Sequence, residues 1–114
     1  MIRRIESGKR MSQAVVANGF VFLAGQVADK PTREVEDQTR QILAQIDRLL
    51  EAAGSSKEKI LSATVYLTDI GDFAEMNKAW DEWVHPDAKP ARATVEAALA
   101  AAVYKVEIQV VALA

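Results

Sequence analysis

The sequence contains no cysteine, which excludes disulfides, thiolate metal ligands and a cysteine nucleophile by composition alone. It holds one histidine, His85, directly before Pro86 and without metal-ligand spacing around it, so a zinc site has nothing to build on. A phosphate-cradling glycine loop, a GxSxG elbow, an HExxH pair and a dinucleotide fingerprint are all missing. Charge of neither sign dominates: fourteen basic residues face sixteen acidic ones, for a formal net charge of −2. Without a basic run there is no electrostatic footprint for nucleic acid, and no nucleic-acid partner is expected. No window approaches the roughly 20 apolar residues of a membrane span. The opening Met1-Ile2-Arg3-Arg4-Ile5-Glu6 breaks into charge at once, unlike a signal peptide. A cytoplasmic protein with no membrane partner is the expectation.

What is present is an ordinary globular composition, half hydrophobic and about a quarter charged, over 114 residues. That length supports one core and hence a single domain, 1–114. Ala14-Val15-Val16 and Phe20 to Ala24 are rich in β-formers and flank Asn18-Gly19, the signature of a tight hairpin. From about Arg33 to Ala53, Val35, Ile42, Leu43, Ile46, Leu49, Leu50 and Ala53 recur at helical spacing, and Gly54 supplies a stop. Ile60 to Leu67 alternates as a strand. A second helix is predicted from Asp72, with Asp72 as N-cap, Glu75 three residues on, and a stripe of Phe73, Met76, Trp80, Trp83 and Val84; Pro86 ends it. Ala91 to Leu99 and Tyr104 to Leu113 read as the last two strands.

The order β-β-α-β-α-β-β is an α+β pattern, a mixed sheet with two helices packed on one face. Alternation separates Arg92, Thr94 and Glu96 from Ala91, Ala93 and Val95, and Glu107 and Gln109 from Val106, Ile108 and Val110. If both apolar sets lie beneath the helices, both polar sets point away from them. A sheet face left uncovered by its own chain argues for self-association, with clefts between subunits.

The residues with the most chemical promise are Arg92 and Glu107. A planar guanidinium grips a carboxylate through two parallel hydrogen bonds, and a carboxylate can orient or deprotonate water. Spacing alone equally allows a cross-strand ion pair of Arg92 with Glu96 or Glu107, and a plain solvated Glu107. Asn77 borders the stripe of the second helix, where it could reach a ligand or cap a loop. Gly25 would let a backbone approach a ligand or merely mark a bulge. Trp80 and Trp83 read as packing residues.

Met11-Ser12-Gln13-Ala14-Val15, Leu23-Ala24-Gly25-Gln26, Gln45 to Gly54, Thr64 to Asp69, Asp72 to Asn77, Pro90-Ala91-Arg92 and Val106-Glu107-Ile108, taken together and in order, resemble the Rid family of reactive intermediate deaminases, also called YjgF. The likeness covers nearly the whole chain. It implies a chorismate mutase-like fold and a homotrimer with sites between subunits. It also implies cofactor-free hydrolysis of small 2-imino acids, such as 2-iminopropanoate and its enamine tautomer 2-aminoacrylate, to 2-keto acids and ammonia. On that resemblance Arg92 binds the substrate carboxylate and Glu107 holds or activates water. Gly25 offers backbone contacts, while Asn77, Thr94 and Met11 line the pocket. Met11, Ala24 and Thr94 stand where well-studied members have tyrosine, often serine, and often cysteine, which points to a divergent branch. Two other readings are a trimeric module that binds a keto or amino acid without turnover, and an endoribonuclease or translation inhibitor.

Overall fold

The computed structural model describes residues 1–114. The chain begins with strands β1 (Arg3–Ser7), β2 (Ser12–Ala17) and β3 (Phe20–Leu23). Asn18 and Gly19 turn β2 into β3 with φ of 51° and 79°, the two left-handed residues that match a tight hairpin to strand twist. Helix α1 (Val35–Ala52) follows, then β4 (Ile60–Leu67), helix α2 (Phe73–Trp83), β5 (Ala91–Glu96) and β6 (Val106–Leu113). The six strands form one sheet in the order β1-β2-β3-β6-β4-β5. All neighbours are antiparallel except β4 and β5, whose parallel pairing requires the crossover that α2 supplies.

One core lies between the sheet and the two helices. Ile42, Leu43, Ile46, Leu49 and Leu50 of α1 are all at most 2% exposed and pack with Val65, Leu67, Val106, Ile108 and Val110. Burial of each such side chain stabilises the fold by roughly 1.5–3 kcal/mol. Gln38, fully buried on the same helix, donates to Thr32 O at 2.6 Å and Val103 O at 3.0 Å and accepts from Lys105 N. It thereby fastens the segment that leads into β6. No helix is long and apolar enough to cross a membrane.

Four features depart from the sequence-based expectation. A sixth strand, β1, precedes the hairpin; its residues are Arg-Arg-Ile-Glu-Ser with only Ile5 partly buried, so it carries no alternation to read and is held by its register against β2. Strand β5 ends at Glu96 and β6 begins at Val106, leaving the alanine-rich stretch in the connection. Asp72 holds the N-cap position of α2 as expected but makes no side-chain cap bond; Asp69 Oδ1 instead accepts from Gly71 N at 2.8 Å, closing a short 3₁₀ turn before α2.

The fourth departure decides the site. Arg92 pairs with Ala63 and Thr94 with Val65, and both partners are buried under the helices. Directly paired residues share a face, so Arg92, Thr94 and Glu96 point toward the helix side, while Ala91, Ala93 and Val95 point to the open one. The expected polarity holds for β6, where Val106, Ile108 and Val110 are buried and Glu107 and Gln109 lie opposite. It reverses on β5 because this is an edge strand that α2 only half covers; its helix-side positions open at the rim of the layer, where a long polar side chain fits. The open face carries Phe20, Phe22, Val95 and Leu113, each 38–46% exposed.

Candidate functional site

Arg92 leaves β5 toward α2 and is met there by three kinds of uncharged group. Its Nη1 donates to Asn77 Oδ1 at 2.8 Å and lies 3.9 Å from Met76 Sδ. Its guanidinium stands over the rings of Trp80 and Phe73, 4.9 and 5.6 Å from their centroids, a geometry in which the ring quadrupoles attract the cation. Burial lowers its pKa from the ordinary arginine value, with Asp81 acting in the opposite sense; the group remains a cation. The cross-strand ion pair does not form. Glu96 Oε1 accepts from Ile70 N at 3.0 Å, and Glu107 projects from the other face of the sheet. Arg92 is therefore a half-buried, oriented cation with N–H groups to spare. Two residues on, the Thr94 hydroxyl is buried without a hydrogen-bond partner, an unsatisfied donor and acceptor beside that cation.

Glu107 belongs to a second cluster. It pairs with Tyr66 on β4, and its carboxylate rests on Gly25, in the loop after β3. A Cβ at residue 25 would overlap Glu107 Oε2 and come within 2.9 Å of Cδ, so a side chain there would push the carboxylate out of this seat. The peptide of Gly25 stands apart from the pairing on either side: Ala24 N donates to Gln13 O, and Gln26 exchanges backbone bonds with Ile108. Met11, half exposed where the chain enters β2, lines with Gly25 an open cleft of about 590 Å³.

The six residues singled out in the sequence thus fall in two places: Arg92, Asn77 and Thr94 in one, and in the other Glu107 seated on Gly25, with Met11 across the cleft that Gly25 also lines. Ala63, the neighbour of Arg92, faces Val110 on β6, three residues beyond Glu107. That offset is about 10 Å along the strand, and two inter-strand steps add about 10 Å across the sheet. The two groups also lie on opposite faces. Within one chain a small acid cannot touch both Arg92 and Glu107.

Phe73 and Trp80, which read in the sequence as packing residues, belong to the surroundings of Arg92. Their spacing around Asn77 (i, i+4, i+7) was the available signal, because it puts ring, amide and ring on one helical stripe. His85 stays outside both groups, its Nδ1 accepting from Asp87 N. Trp83 also stays outside, with its indole N–H on Asp47. Histidine and carboxylates nowhere cluster in threes that could hold a metal ion.

A family profile described as Endoribonuclease L-PSP matches residues 1–114. A RutC family protein of Haemophilus ducreyi is 45% identical over 98% of this chain and 96% of its own. The RutC family protein YoaB of Escherichia coli K12 is 46% identical over 97% and 96%. The crystal structure of a YjgF family member from Neisseria meningitidis superposes with a TM-score of 0.97 at 47% identity, covering 99% of this chain and 94% of that one.

Proposed function

This chain belongs to the YjgF family, the group that also carries the Endoribonuclease L-PSP and RutC descriptions, and from that premise we propose that it hydrolyses small 2-imino acids to 2-keto acids and ammonia. The observation that carries the reading is the state of Arg92: a cation steadied by Asn77, Trp80 and Phe73 with no carboxylate partner of its own. Such a group awaits an external carboxylate. Glu107, anchored on Gly25, is the matching base.

Because one chain separates these groups, the working site is composite. Arg92, Asn77 and Thr94 of one protomer face Glu107, Gly25 and Met11 of a neighbour, and the apolar open face of the sheet supplies the contact. A homotrimer closes this head-to-tail arrangement. In the site Arg92 holds the substrate carboxylate and sets the imine carbon before a water on Glu107. Glu107 takes a proton from that water as its oxygen bonds to C2. The nitrogen of the tetrahedral adduct, once protonated, leaves as ammonia when the C–N bond breaks, and loss of the hydroxyl proton gives the 2-keto acid. A protonated imine is already electrophilic, so positioning and charge neutralisation are the main demands on the protein. None of these steps calls on a cofactor.

The ribonuclease named in the family description calls for another set of groups, a base and acid straddling a phosphodiester in a basic groove. The chain's histidine is committed to the Asp87 amide, and its net charge is −2. The assay is direct: an amino-acid oxidase generates the imine in situ, and semicarbazide traps what survives. The protein is expected to suppress semicarbazone formation, and Arg92→Ala to abolish the effect. Ligand-induced thermal stabilisation without turnover would instead mark a binding module, and no effect on any substrate would sink the reading.

A further inference from the structure

The cleft beside Gly25 is larger than a three-carbon acid needs. Its volume of about 590 Å³ falls among the roughly 300–1,000 Å³ of sites that enclose drug-sized ligands, and polar side chains make up much of its wall. Three of these are glutamines in a chain. Gln45 Nε2 donates to Gln26 Oε1 at 3.2 Å, and Gln26 Nε2 donates to Gln13 Oε1 at 2.9 Å.

The direction of this chain is forced by the backbone. Gln45 must turn its nitrogen to the Val27 carbonyl and its oxygen to the Asp29 N–H, and Gln26 must turn its nitrogen to the Ala24 carbonyl. A carbonyl can only accept and an amide N–H can only donate, so neither side chain can flip. Gln26, 5% exposed, therefore presents N–H to Gln13. Gln13 must answer with its oxygen, which leaves its own NH₂ as the free end. That NH₂ has no partner in the chain and is not a buried orphan, which leaves a free donor on a residue of the cleft wall.

The surrounding charge narrows what it would meet. Glu6, held at φ 51°, turns its carboxylate to Arg48 on α1, 2.6 Å away, so the cleft's cation is already engaged. Asp29 adds a carboxylate to the same wall. An anionic substituent would be repelled there, whereas an uncharged carbonyl or hydroxyl would be received by Gln13 and could donate in turn to Asp29.

Building on the imine-hydrolase reading above, we propose that Gln13 is the residue that recognises the substrate side chain, donating its NH₂ to an acceptor oxygen so that the protein favours 2-imino acids with an uncharged hydrogen-bonding side chain over aliphatic ones of equal length. The test compares imines generated from glutamine, methionine and arginine, the first two similar in length and shape. Wild type is expected to hydrolyse the glutamine-derived imine with kcat/KM on the order of tenfold above the methionine-derived one, the discrimination one hydrogen bond provides. Gln13→Met should bring that ratio to about one. Gln13→Leu, which offers neither donor nor acceptor, should remove the preference as well, and thermal unfolding of both variants checks that they fold. A wild-type ratio near one, or an equal loss on both substrates in both variants, overturns the inference while leaving imine hydrolysis standing. A dominant preference for the arginine-derived imine that survives Gln13→Met would assign selection to the Asp29 charge and overturn it too. No turnover of any substrate removes the underlying reading and this inference with it.

Discussion

Arg92 and Glu107 are held by opposite means, one by rings and an amide, the other by the lack of a side chain beneath it. Gly25→Ala should therefore act through Glu107. The new methyl would push aside the carboxylate, the free end of a flexible side chain that can move at little cost in stability, and should cut imine hydrolysis by at least about tenfold through that misplacement. Urea denaturation of Gly25→Ala should accordingly stay close to wild type while hydrolysis falls; a large loss of stability would mean that the carboxylate cannot move aside. At this scale the residues were readable as types. Arginine after Pro-Ala, glycine before Gln26 and a glutamate amid valine and isoleucine all stood out. The unpaired state of Arg92 was not readable, because spacing permits an ion pair with Glu96 as easily as a stack on Trp80. The choice depends on α2 lying over the end of β5.

Both helices were legible because their apolar stripes are long and regular, and the β2–β3 hairpin because Asn-Gly leaves few alternatives. The missed strand and the inverted face share one cause. Strands β1 and β5 are edges of the sheet, each with one neighbour and partial cover, so burial imposes no strict alternation on them. On β5 small alanines took the open side and Arg92 and Thr94 the rim beneath α2, which inverted the face expected from hydropathy. Gln38 was invisible for a different reason: a glutamine inside an apolar stripe reads as an interruption until the carbonyls it serves are known. Gln38→Leu preserves the stripe but strands the Thr32 and Val103 carbonyls and the Lys105 amide. It should cost roughly 1–3 kcal/mol, measured as a lower urea midpoint with an unchanged slope. It should also reduce kcat, since the segment it fastens runs directly into Glu107. Unaltered stability would mean that those groups find water instead.

The whole molecule is a sheet with one finished side. Phe20, Phe22, Val95 and Leu113 remain open on the other, an apolar surface of the kind that marks an interface. If assembly completes the site, two inactive variants should repair each other. Arg92→Ala and Glu107→Gln homo-oligomers, unfolded together and refolded as a mixture, are expected to recover roughly a quarter of wild-type activity. Random mixing leaves about one interface in four with both groups intact. Recovery no greater than the sum of the separate variants would show that each chain works alone. The placement of the two groups on opposite faces has one more consequence, for concentration. If the site is composite, a solitary protomer owns half of two sites and all of none, so turnover per chain should not survive dilution: below the dissociation threshold, specific activity should fall away and return when the solution is concentrated.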